Sequence, residues 1–97
     1  MSDIVFEWDP VKSRANKAKH GVLFEEAKTA FLDENARVIL DDGHSDGEER
    51  FVLLGISIAS RVLVVCHCYR RADEVIRIIS ARRATASERL DYARFLA

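Results

Sequence analysis

The side chains best suited to chemistry on a phosphate are a few arginines in the second half of the chain and one histidine near its start. Residues 74–80 read as a strand in which Val75, Arg77 and Ile79 share one face and Ile76, Ile78 and Ser80 the other. Arg77 therefore sits between two β-branched residues. A guanidinium there needs either a carboxylate, Glu74 or Glu49, or a phosphate, because an unpaired buried charge costs about 3–5 kcal/mol. Arg82 and Arg83 follow in what reads as the turn to the last helix, either as solvated loop charges or as anion ligands. The free amides at that helix N-terminus would complete a phosphate site with Arg77, Ser80 and Arg82. Lys19-His20-Gly21 closes the first predicted helix, where cations favour the negative end of the dipole. Arg61 lies in a tight turn between two apolar runs. Cleaving RNA without a metal requires a base for the 2′-hydroxyl, a cation for the pentavalent phosphate and an acid for the departing 5′-oxygen. Histidine can serve as the first or last of these and arginine as the second.

Other reactive side chains read as structural. His67 lies in a strongly apolar stretch and is expected in the core. Cys66 and Cys68 project from one strand face, where a disulfide would be strained. With His67 they leave a zinc site incomplete, so reduced thiols and no metal or cofactor are expected. Trp8, Tyr69 and Tyr92 could stack on exposed bases or belong to the core. No phosphate-binding loop, dinucleotide glycine pattern, zinc-protease helix or nucleophile elbow is present, which argues against nucleotide hydrolases and zinc proteases.

The elements that must position these groups can be read from periodicity. Residues 3–7 form a short first strand, and Asp9-Pro10 caps and opens a helix that ends at Gly21. Its apolar stripe is Val11, Ala15 and Ala18. A second helix covers residues 24–32, with Phe24, Ala27, Lys28 and Phe31 on one side. Strands follow at 37–40, 51–58, 62–69 and 74–80, separated by an acidic loop at 41–49 and by turns at 60–61 and 70–73. Thr85-Ala86-Ser87-Glu88 is a capping box that opens a last helix whose inner side is Ala86, Leu90 and Ala93. The order β-α-α-β-β-β-β-α with a hairpin at its centre predicts a small α+β domain, residues 1–97, with a mostly antiparallel sheet.

The 97 residues hold 48% hydrophobic and 32% charged side chains, ordinary for one globular domain. No run approaches the roughly 18 apolar residues of a membrane span. Asp3, Glu7 and Asp9 stand where a secretory leader would be basic and then apolar, so a cytoplasmic location is expected. The net charge of −1 is unevenly divided. Residues 1–50 carry seven Lys or Arg against twelve acids, whereas residues 51–97 carry eight Arg, no Lys and four acids, giving −5 and +4. An arginine-only basic half suits an anionic partner, because the planar fork binds phosphate oxygens in pairs.

Four ordered blocks resemble the BrnT toxin family. They are Phe6-Glu7-Trp8-Asp9-Pro10; Lys19-His20-Gly21-Val22 with Phe24-Glu25-Glu26-Ala27; Gly47-Glu48-Glu49-Arg50; and Ile76 to Ala84 followed by Glu88-Arg89 and Tyr92. The resemblance implies a RelE-like fold and a ribonuclease toxin that arrests translation. It also implies a BrnA-like antitoxin that binds operator DNA, so that the toxin reaches DNA only through its partner. It places His20, Arg61, Arg77 and Arg82 as catalytic candidates, with Lys19, Arg83 and Trp8 as RNA-binding candidates. Leu23 departs from the family, in which a serine often precedes the Phe-Glu-Glu-Ala stretch and caps the second helix. The competing reading is a non-catalytic module that only binds its antitoxin and assists repression.

Overall fold

A computed structural model describes residues 4–44 and 47–96. The elements are β1 (Val5–Glu7), α1 (Pro10–His20), α2 (Phe24–Thr29), β2 (Arg37–Leu40), β3 (Phe51–Ile56), β4 (Val62–Arg70), β5 (Val75–Arg83) and α3 (Ala86–Arg94). Short 3₁₀ turns at Ala30–Leu32 and Asp42–His44 complete the set. Asp3, expected in the first strand, and Ser45 and Asp46 of the acidic loop lie outside the described residues. The five strands run in the order β1-β5-β4-β3-β2; β1 is parallel to β5 and every other pair is antiparallel.

The core forms where α1 and α2 meet one face of this sheet, around Val22, Phe24, Ala27, Leu53, Leu63, Val65 and Ile78. Gly55 makes the close approach possible, since a Cβ there would meet the Ala30 carbonyl oxygen at 2.9 Å. His67 is fully buried as expected, its ring bonded to the Val65 carbonyl and the Tyr69 hydroxyl. Burial pushes its imidazole below the usual histidine range, against the opposing pull of the Val65 carbonyl.

Both terminal helices pack differently from the periodicity. In α1 the buried residues are Ser13 and Asn16, while Val11 of the predicted stripe is 63% exposed and Ala15 and Ala18 face solvent. The reason lies in the sheet edge. β1 pairs with β5 only as far as Glu7↔Arg77, which leaves the backbone of β5 beyond it open. Asn16 closes the gap: its amide nitrogen donates to the carbonyls of Ala81 (2.7 Å) and Val22 (2.8 Å), and its amide oxygen accepts from the Ala81 N–H (3.2 Å). Ser13 accepts from the Phe24 N–H at 3.0 Å and so caps α2 from outside, replacing the cap that Leu23 cannot supply.

In α3 the buried residue is Tyr92, not Leu90, which is 63% exposed, and Ala86 and Ala93 are also exposed. The Tyr92 hydroxyl donates to Asp33, and burial together with that carboxylate raises it to about 12. This contact fixes α3 on the sheet face opposite α1 and α2, bordering Val52, Leu54 and Val64.

Candidate active site

A β-bulge decides which arginines share a face. Cys66 pairs with Ser80 and His67 with Ile78, so Ile79 is an extra residue in β5. Regular alternation would put Arg77 and Arg82, five residues apart, on opposite faces. The bulge removes that difference: Arg77 opposes Cys68, Ser80 opposes Cys66 and Arg82 opposes Val64, all on the face away from the core. The expectation that Ser80 faces away from Arg77 is thereby corrected. So is the turn at Arg82-Arg83, because β5 continues through both. Local pairing energy is the cause, since β4 extends far enough to bind the whole of this segment.

On this face lies a cavity of about 320 Å³. Its polar wall is His20, Asp41, Arg50, Ser80 and Arg82, and Val52, Val64 and Cys66 contribute apolar surface. That volume is at the lower end for small-ligand sites. α1 delivers His20 to it through local rules: Asp9 accepts from the Val11 N–H, Pro10 opens the helix, and Gly21 ends it in the left-handed conformation at φ 76°. Asp41 and Arg50 were not identified from sequence. Only the matching Gly47-Glu48-Glu49-Arg50 block hinted that the region mattered, and strand pairing brings it to the cavity. Cys66 is a half-buried thiol in the cavity wall and Cys68 is buried; burial pushes both thiols up.

Of the remaining candidates Arg82 lines this cavity, and Arg77, Arg61, Arg83, Lys19 and Trp8 do not. Arg82 is held by Glu88, with Nη1 donating to Oε1 at 2.8 Å and Nη2 to Oε2 at 2.9 Å. Glu88 also accepts from the Thr85 N–H, completing the predicted capping box. A carboxylate thus occupies the helix N-terminus where a phosphate was expected. Arg77 pairs with neither Glu74 nor Glu49 but with Glu7, at 3.4 Å, and Glu7 also lies 3.7 Å from Arg70. Arg61 does not line the cavity. Its guanidinium forks onto Glu26 and donates to the Gly21 carbonyl at 3.0 Å, strapping the β3–β4 turn to the ends of α1 and α2. Arg83 points to the core side and reaches Gly21, where a Cβ would lie 3.3 Å from its Nη2. Lys19 is exposed on α1. Trp8 is half-buried, edge-on to Phe24 and packed against the core, so the stacking platform expected of it is largely used internally. Tyr69 likewise packs on Phe51 and His67.

The two bidentate pairs carry an acid signature. The Arg82 guanidinium holds the Glu88 carboxyl down to about 2, and Arg61 likewise lowers that of Glu26. Unfolded glutamates protonate near 4.5, so this stabilisation is complete above that pH and is lost as the pH falls toward 2. Thermal melts are expected to show stability falling across that window, and Glu88→Gln should flatten the fall.

A family model described as "Ribonuclease toxin, BrnT, of type II toxin-antitoxin system" matches residues 8–88. The chain belongs to the BrnT family. It is similar in fold to the 1.1 Å crystal structure of the Brucella abortus ribonuclease toxin BrnT. The TM-score is 0.63 with 23% identity over 88% of this chain and 99% of that one. No curated protein sequence matches. Membership of the BrnT family makes this chain a ribonuclease toxin of a type II toxin–antitoxin system, a class that implies an antitoxin partner. No described helix is long and apolar enough to cross a membrane.

Proposed function

We propose that the chain, as one BrnT domain of the RelE-like type over residues 1–97, cleaves RNA internally without a metal and thereby arrests translation in the cytoplasm. His20 moves the proton of the 2′-hydroxyl or of the 5′-oxygen, solvent water moving the other as the 2′-oxygen bonds to phosphorus and the P–O5′ bond breaks, and Arg82 stabilises the phosphorane. Arg77, on the same sheet face, holds the flanking backbone together with Lys19. The observation that carries this reading is the cavity shared by His20, Ser80 and Arg82. A general base or acid worth about 10²–10⁴-fold and a cation stand there on one wall. Arg61 and Arg83 act beneath the site as straps at the end of α1, and Trp8 as core.

The partner in this reading is a BrnA-like antitoxin that covers the toxin and carries it to operator DNA. Purified protein incubated with RNA in excess EDTA is expected to cut it, leaving 2′,3′-cyclic phosphate ends. RNA left intact at micromolar protein would refute catalysis of this kind. The second reading, a toxin fold reduced to antitoxin binding, draws on the carboxylate partners of Arg61, Arg77 and Arg82. It predicts no growth arrest when the protein is expressed alone, whereas the first predicts arrest relieved by the antitoxin.

A further inference from the structure

We infer that Glu88 is the positioning residue of the site: it grips one edge of the Arg82 guanidinium and turns the other edge to the phosphate. The inference rests on the reading of Arg82 as the phosphorane-stabilising cation. A guanidinium has two bidentate edges, Nη1 with Nη2 at its end and Nε with Nη2 at its side. Glu88 takes the end, at 2.8 and 2.9 Å, and the Arg83 carbonyl accepts a further Nη1 hydrogen at 3.3 Å. Among the described residues Arg82 has no other acceptor, so its side edge, Nε–H and the second Nη2–H, is the one left for a ligand.

The hold on Glu88 is itself built from both ends. Its carboxylate accepts from Arg82 and from the Thr85 N–H, and its backbone N–H donates to the Thr85 hydroxyl. Glu88 is therefore anchored to α3 while Arg82 is anchored to β5, and the pair bridges the helix to the strand that carries Ser80. Charge matters as well as direction. An ionised Glu88 holds Arg82 by an ion pair as well as by hydrogen bonds, and a fixed cation needs no reorganisation when the phosphorane forms. The capping box was legible in sequence as a local device; its second role depends on the strand running through Arg82.

The discriminating experiment compares cleavage kinetics of Arg82→Ala, Glu88→Gln, Glu88→Asp and Thr85→Ala on one RNA oligonucleotide. Thr85→Ala removes only the hydroxyl half of the capping box, leaving the residue-85 N–H and Arg82 on the Glu88 carboxylate, and so reports what helix destabilisation alone does. Glu88→Gln and Glu88→Asp are expected to lower kcat about ten- to a hundred-fold with KM changed less than about threefold, as a misdirected catalytic group does. Thr85→Ala should leave both constants unchanged while lowering the melting temperature. In the Arg82→Ala background Glu88→Gln should have no further effect on kcat. Unchanged or raised kcat in folded Glu88→Gln overturns the inference, and a raised value would make Glu88 a competitor of the phosphate. If Glu88→Gln does not fold, the same criteria apply to Glu88→Asp, which keeps the charge. Full activity of Arg82→Ala would instead overturn the catalytic reading beneath it.

Discussion

Arg82→Ala is expected to lower RNA cleavage by about 10²–10³-fold, the usual loss when one preorganised stabiliser of a transition-state charge is removed. His20→Ala should lose about 10²–10⁴-fold, because a proton carrier disappears while the cation stays. The two should combine less than additively if both act on the same phosphate. Arg82 also holds Glu88, so some stability goes with it. That loss should be near 1 kcal/mol, since the pair is 43% and 30% exposed and solvent screens it. A melting curve separates the two effects. An Arg61→Ala protein provides the contrast: its guanidinium lies outside the cavity, and the change should lower stability while folded protein keeps its turnover.

The largest effect on stability is expected at Asn16. Its side-chain amide satisfies the N–H and C=O of Ala81 and the C=O of Val22, and Asn16 is buried. Asn16→Ala strands three buried backbone groups. At about 1–3 kcal/mol each, with partial relief by entering water, the loss should be about 3–5 kcal/mol, a large fraction of an ordinary domain's stability. The melting temperature should fall by roughly 15 °C or more. Asn16→Asp should do no better, because a carboxylate would face two carbonyl oxygens. A fall of only a degree or two in either variant would mean that the edge of β5 is sealed in another way.

Asn16 also marks where sequence reading stops. Helix limits, both caps of α1, the β2 segment, the central hairpin and the capping box of α3 follow local rules, and they stand in the structure much as periodicity places them. The buried faces of α1 and α3 do not. An apolar stripe predicts the inner side only when the helix packs on an apolar surface, and α1 instead covers an open strand edge that needs hydrogen bonds. In α3 one tyrosine with a distant carboxylate outweighs three small or exposed apolar residues. The site shows the same division. His20 and Arg82 were identifiable by type, but their shared cavity depends on a bulge at Ile79 that alternation cannot reveal. Glu26 and Glu7 were equally hidden as partners of Arg61 and Arg77, since they lie 35 and 70 residues away. Asp41 and Arg50 reach the cavity only because β2 and β3 pair.

An RNA strand bound for cleavage must lie across the cavity lined by His20, Ser80 and Arg82. Titrating the isotope-labelled protein with a 2′-deoxy oligonucleotide, which binds but lacks the hydroxyl to be cut, gives that location by nuclear magnetic resonance. The resonances of His20, Cys66, Ser80 and the Arg82 Nε–H should move together and saturate at one concentration, with Trp8 and Arg61 little affected. Movement confined to Trp8, Arg61 or the exposed edge of β2, with the cavity silent, would contradict it.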